Sequence, residues 1–269
     1  MTVVESAAVA IVAICIRYAL GFGFSLIFVP VASNFMSFDD AVTTTIICEL
    51  GVSAVLVAEH WREIPWLTAM TMKAGALAGI AIGTHLITRV HPAVLISVAM
   101  IAVITTAVLL LKTHITMAIT RPRAVLAGLL SGILNVIAGL AGPPVVFLYY
   151  ASTTSESARR AALTGYFLPV YILTAAARLN SGHMPVVVIG RAMPAALTAV
   201  LALLILRPHL RTPGRYMRPL ALVLIMVAAS GVLWDKVLKD IHYPFNHAFQ
   251  TRAYDNNVEV SQSNARPLR

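Results

Sequence analysis

Gly139-Leu-Ala-Gly-Pro-Pro144 interrupts one apolar stretch, and Gly21-Phe-Gly-Phe-Ser25 interrupts another at the matching place 118 positions earlier. The same shift carries Lys73 onto Arg191, Arg89 onto Arg207 and His91 onto His209. Glycine loses more freedom than other residues on entering a helix, and proline lacks the backbone donor a helix interior needs. Each stretch is therefore predicted to be two helical arms joined by a non-helical kink. Kinks at corresponding places in two halves of an apolar chain predict a duplicated scaffold that handles a polar solute where the kinks meet.

Working outward, the composition sets the class. Hydrophobic residues make up 59% of the 269 residues and charged residues 12%, with a mean hydropathy of +0.83. A water-soluble domain needs far more polar surface, so the chain is predicted to be an all-α polytopic membrane protein. Pro92 to Leu111 carries no charge over a length that, as a helix, matches the roughly 30 Å hydrocarbon core of a bilayer. Cys15 and Cys48 both lie in apolar segments, which predicts neither a disulfide framework nor a metal site. No basic run precedes Arg17, so the first apolar stretch is expected to be retained rather than cleaved as a signal peptide. The net charge of +9 is scattered among short loops, without the basic and aromatic clustering that tracks nucleic acid. The expected surroundings are membrane lipid, with no nucleic acid and no cofactor.

Interrupted segments are expected over about 6–34 and 123–151. Unbroken spans follow over about 40–58, 66–87 and 92–111, then 158–178, 185–206 and 217–234. The chain thus divides into a first transmembrane repeat (1–112), a second (113–234) and a polar tail (235–269). Each repeat is an interrupted or re-entrant helical segment plus three transmembrane helices. Threading is decided by loop charge. If the interrupted segments cross the membrane once each, basic residues split almost evenly between the two faces. If they are re-entrant hairpins, Arg62, Lys112, Arg121, Arg123, Arg159, Arg160, Arg207, Arg211, Arg215 and Arg218 share one face. Arg89, Arg178, Lys236 and Lys239 remain opposite. That bias matches the cytoplasmic excess of basic residues, so the expected arrangement is inverted repeats with both termini outside the cytoplasm.

The candidate site follows from the kinks. Backbone groups freed by Gly21, Gly23, Gly139, Gly142, Pro143 and Pro144 must face protein or a wet cavity, and the first turn of the arm after each kink attracts anions. Ser25 and Asn135 are neutral donors beside the kinks. Arg17, Lys73 and Arg191 are cations within spans, and Glu49 is the one acidic residue placed mid-span. Three cations against one carboxylate predict a positive cavity for a small anionic substrate. Glu49 neutralises a cation in the empty site or carries a coupling proton. The blander expectations are that Lys73 and Arg191 snorkel to an interface, that Arg17 and Glu49 form a structural ion pair, and that the glycines only permit close packing. Asp39 and Asp40, and Ser155 and Ser157 about Glu156, read as helix caps.

These residues carry a family resemblance. Gly21-Phe-Gly-Phe-Ser-Leu-Ile-Phe-Val-Pro30 followed by Asp40-Ala-Val-Thr-Thr-Thr45 resembles the first signature of the TauE/SafE sulfite exporter family. Gly139-Leu-Ala-Gly-Pro-Pro-Val-Val-Phe147 followed by Arg159-Arg-Ala-Ala-Leu-Thr164 is similar to its second. The resemblance spans about residues 6–235. It implies a duplicated transporter of small anions, chiefly sulfite, sulfonates and related sulfur compounds, in a bacterial inner membrane. Phe22 and Phe24 replace glycines common in the first signature, which narrows that loop.

The expected function is secondary transport of a small anion by alternating access. Export is the simpler direction, because an inside-negative voltage drives a monovalent anion outward by about 2.3 kcal/mol per 100 mV. Self-association into a homo-oligomer stays open. The competing classes are a passive anion channel and an intramembrane enzyme. Against the enzyme, Ser131 lies near Gly132 but lacks a Gly-x-Ser-Gly setting, because Leu129 precedes Leu130, and no His-Glu-x-x-His pair exists.

Overall fold

The computed structural model describes residues 3–20, 22–111, 117–152, 154–206, 223, 226–227 and 230–231. Gly21, residues 112–116 of the basic connector, most of the expected span at 217–234, and the tail at 235–269 lie outside the described residues. Among those described there are nine helices and no strand. They are α1 (Val3–Leu20), α2 (Phe24–Ala32), α3 (Phe38–His60), α4 (Trp66–Ile87), α5 (Pro92–Leu111), α6 (Arg121–Ala138), α7 (Gly142–Tyr150), α8 (Glu156–Asn180) and α9 (Val186–Leu206). Five are long and apolar enough to cross a membrane: α3, α6, α8, α9, and α4 over Met70–Ile87. The chain is a multi-pass membrane protein.

Both kinks fall where glycine and proline place them. α1 and α2 have 18 and 9 residues, as do α6 and α7. At 1.5 Å per residue the short arms reach only about 13 Å, less than half the hydrocarbon thickness. Gly23 (φ 106°) and Gly139 (φ 68°) adopt the left-handed conformation that a side chain disfavours. At Gly139 the N–H returns to the Asn135 carbonyl and the Leu140 N–H to that of Leu134, closing α6. The chain then doubles back. Ser131 Oγ donates to the Ala141 carbonyl, and the Met117 N–H, before α6, donates to the Ala151 carbonyl, after α7.

Glycine also sets the closest helix contact. A Cβ at Gly75 or Gly79 of α4 would lie 2.1 or 2.0 Å from the carbonyl oxygen of Val125 or Leu129 on α6. At Gly128 or Gly132 of α6 it would lie 2.0 or 2.3 Å from that of Met72 or Ala76. Register rises together on both helices, so α4 and α6 run parallel with their backbones touching. Small residues four apart produce this packing in membranes, where apolar burial gives no driving force between helices.

α3 and α8 run antiparallel. Asp39, near the start of α3, meets Arg178 near the end of α8, while Leu56 and His60 share a cleft with Arg160 and Ala161. α9 follows α3 in direction: Thr43 reaches the His183 carbonyl just before α9, and Gly51 faces Val200 further along. Ser37 and Ser155 are the N-caps of α3 and α8, accepting from the Asp40 and Ala158 N–H groups. Ser155 is the cap expected, and the other three expected caps are corrected. Asp39 and Asp40 occupy the first turn of α3, where carboxylates suit the helix dipole, and Ser157 lines the cleft.

Candidate functional site

The first kink is built around a buried ion pair. Arg17, in the last turn of α1, is 2% exposed, and Glu49, midway along α3, is 1% exposed. Arg17 Nη2 lies 3.3 Å from Glu49 Oε2 and donates to Ser53 Oγ at 3.2 Å. The guanidinium also lies over the Phe167 ring, 4.8 Å from its centroid. Tyr171 of α8 and the backbone at Ser25, in the first turn of α2, sit beside the carboxylate. Neither completes a well-formed hydrogen bond: both Glu49 oxygens and Arg17 Nε are buried without a hydrogen-bond partner. A buried polar atom left so costs about 1–3 kcal/mol, so this cluster is under-satisfied.

The second kink is better satisfied. Tyr166 donates to Ser131 Oγ at 2.8 Å, and Ser131 in turn donates to the Ala141 carbonyl freed by the kink. Asn135 Nδ2 donates to Thr174 Oγ1 at 2.8 Å, leaving Asn135 Oδ1 buried without a partner. Tyr171 connects the two kinks. Its hydroxyl donates to the Gly139 carbonyl at 3.4 Å while facing Glu49 and Ser25 of the first.

At the Asp39 end of α3, Arg178 is fully buried and ties three elements together. It donates to the Val136 carbonyl of α6 at 2.6 Å, to the His183 carbonyl at 3.0 Å, and to Asp39. His183 Nδ1 lies 3.5 Å from the other oxygen of Asp39. At the opposite end a cleft of about 210 Å³ lies between Arg17, Tyr18, Leu56, His60, Glu63, Ser157, Arg160, Ala161 and Thr164. Glu63 and Ser157 are exposed at its mouth, and buried Arg17 forms its inner end. Arg160 pairs with Glu156 and donates to the Tyr18 carbonyl at 3.3 Å, which places positive charge over the end of α1.

Of the residues singled out in the sequence, the structure brings together Arg17, Gly23, Ser25 and Glu49, with Gly139 joined to them through Tyr171, while Asn135 is bonded to Thr174 further along α8. Gly142 is buried at the start of α7. Pro143 and Pro144 line a separate, largely apolar groove with Met117, Leu130 and Phe147. They also remove two donors from the first turn of α7, so that turn is a poorer anion seat than the first turn of α2. Lys73 and Arg191 are not brought to the cluster. The Lys73 amine lies 4.8 Å over the Trp66 ring of its own helix, and Arg191 is exposed.

Sequence reasoning passed over Ser53, Ser131, Tyr166, Tyr171, Thr174 and Arg178. The last four recur along α8 at intervals that keep them on its buried side. Such a polar stripe in a membrane helix is itself a readable signal.

Apolar helices thus enclose buried charges and bent backbone, with a cleft that reaches Arg17. The family model for Sulfite exporter TauE/SafE matches residues 6–232. The chain belongs to that family of transporters. Comparison with curated proteins and with solved structures finds no match.

Proposed function

We propose that the protein carries a small anion, a sulfur oxyanion such as sulfite or an organic sulfonate, across a bacterial inner membrane by alternating access. The observation that carries this reading is the under-satisfied Arg17–Glu49 pair at the inner end of the cleft, beside the first turn of α2. A guanidinium and helix-start amides are the groups that hold an oxyanion in a low-dielectric setting. Glu49 supplies the anion when no substrate is present. Ser25, Ser53 and Tyr171 are the neutral donors in reach, and Asn135 and Gly139 shape the opposite wall.

The two halves are read as inverted repeats, 1–112 and 113–234. Three features support this: arms of equal length at both kinks, the doubling back of α6 and α7, and the antiparallel course of α3 and α8. Loop charge then puts Arg62, Arg121, Arg159 and Arg160 in the cytoplasm. The cleft opens to that side, while the Arg178–Asp39–His183 cluster closes the other. Cytoplasmic anions have access to Arg17 in this conformation.

The test is exchange in proteoliposomes. Vesicles loaded with unlabelled sulfite should take up labelled sulfite by counterflow and saturate, and Arg17→Gln should abolish this. Conduction without saturation or exchange would make the protein a channel instead.

A further inference from the structure

We propose that Glu49 holds the anion's seat in the empty carrier and vacates it by taking up a proton, so that each anion crosses with one proton. This rests on the site reading above and adds the coupling.

In the unloaded cluster one guanidinium faces one carboxylate, and the buried charge sums to zero. An arriving monovalent anion that pairs with Arg17 leaves Glu49 without its counter-charge. An ionised carboxylate so stranded is strongly disfavoured in a low-dielectric interior. No second cation faces Glu49 among the described residues. Among the described residues, the titratable or charged groups facing Glu49 are Arg17 of α1, Tyr171 of α8 and the adjacent Cys48 of α3. Ser25 comes from α2, and α9 meets α3 through apolar Val200 at Gly51, two residues on from Glu49. None of these supplies a positive charge in place of Arg17.

A proton does. A hydronium reaching the cluster through the cleft transfers its proton to a Glu49 oxygen, the Arg17–Glu49 contact opens, and the anion pairs with Arg17. The loaded site is again neutral. The Ser25 amide N–H and the Tyr171 O–H, both set beside the carboxylate, turn to donate to the anion, and the Tyr171 oxygen accepts from the new acid O–H. Linkage makes the effect mutual: the anion raises proton affinity as much as the proton raises anion affinity. The loaded and empty carriers both cross without net charge. Membrane voltage then neither drives nor opposes the cycle, and direction follows the combined anion and proton gradients.

Methanesulfonate is the probe, because it stays anionic near neutral pH and has no proton of its own to give. Wild-type protein in proteoliposomes should show methanesulfonate counterflow. An imposed inward gradient of one pH unit should support about tenfold accumulation, since one unit corresponds to a tenfold factor. A potassium–valinomycin voltage of either sign should leave the uptake rate unchanged. A trapped pH dye should record one proton per anion, and in Glu49→Gln any remaining methanesulfonate flux should move none. Absent counterflow in the wild type would remove the carrier reading itself. Counterflow that responds to voltage and ignores the pH gradient would keep the carrier and overturn the coupling, as would proton movement retained in Glu49→Gln.

Discussion

Replacing Gly79 by alanine tests the packing that positions the second kink. The new Cβ would lie 2.0 Å from the Leu129 carbonyl oxygen and 2.9 Å from its carbon. An ordinary contact of carbon with oxygen needs upwards of 3 Å, so α4 and α6 must separate by about 1 Å or more. Both atoms are backbone, and no side-chain rotation relieves the clash. Overpacking of this kind costs about 1–3 kcal/mol. Separation also breaks the neighbouring contacts of Gly75, Gly128 and Gly132, placing Gly79→Ala at the upper end of that range. Gly190→Ala on α9 is the matched control, because nothing lies within 4 Å of its new Cβ. The assay is thermal unfolding in detergent with a fluorogenic maleimide, read in a Cys15→Ala background. Cys48 is fully buried and reacts only as the fold opens. Gly79→Ala should melt well below wild type and Gly190→Ala close to it. Equal melting of all three would refute the close approach of the two helices.

Three further outcomes follow from the same geometry. Arg17→Met and Glu49→Leu should each destabilise by about 3–5 kcal/mol, while the double substitution should melt nearer to wild type, because only the singles leave a buried charge unpaired. Asp39→Asn should destabilise by more than about 1 kcal/mol although Asp39 is itself 49% exposed, because it leaves the fully buried Arg178 guanidinium without a counter-charge, and should shift the carrier toward its other conformation. Increased labelling of a cysteine at Thr43 from the outside would report that shift. Cysteines at Arg121 and Thr154 should be labelled from one side of the membrane and those at Glu5 and Asn34 from the other; labelling of Arg121 and Glu5 from the same side would contradict the inverted threading.

Helix limits and kinks were legible because each is written in local chemistry. Gly23 and Gly139 stand where the helical arms break and Gly142–Pro144 suits only the start of a new one, and the ends of α3, α4, α5, α8 and α9 fall within a few residues of the expected spans. The pairing of Arg17 with Glu49 was legible for a similar reason, since lone opposite charges inside apolar segments must find each other. The depth of Arg178 was hidden, because its position at the end of a span reads as a loop cation. Only the fold brings Asp39 and the Val136 carbonyl, both distant in sequence, around it. For Lys73 and Arg191 the place along the helix was legible, but which side of the helix they occupy was not. The α4–α6 glycines, by contrast, stand four apart in plain view, and their spacing encodes the contact directly.

The seat of the anion is the claim on which the rest depends, and anomalous diffraction from crystals grown with selenite, a heavier analogue of sulfite, locates it directly. A selenium peak should appear within hydrogen-bonding reach of the Arg17 guanidinium and the first turn of α2, with the Glu49 carboxylate turned away. A peak beside Lys73 or Arg191, with the Arg17–Glu49 contact still closed, would contradict it.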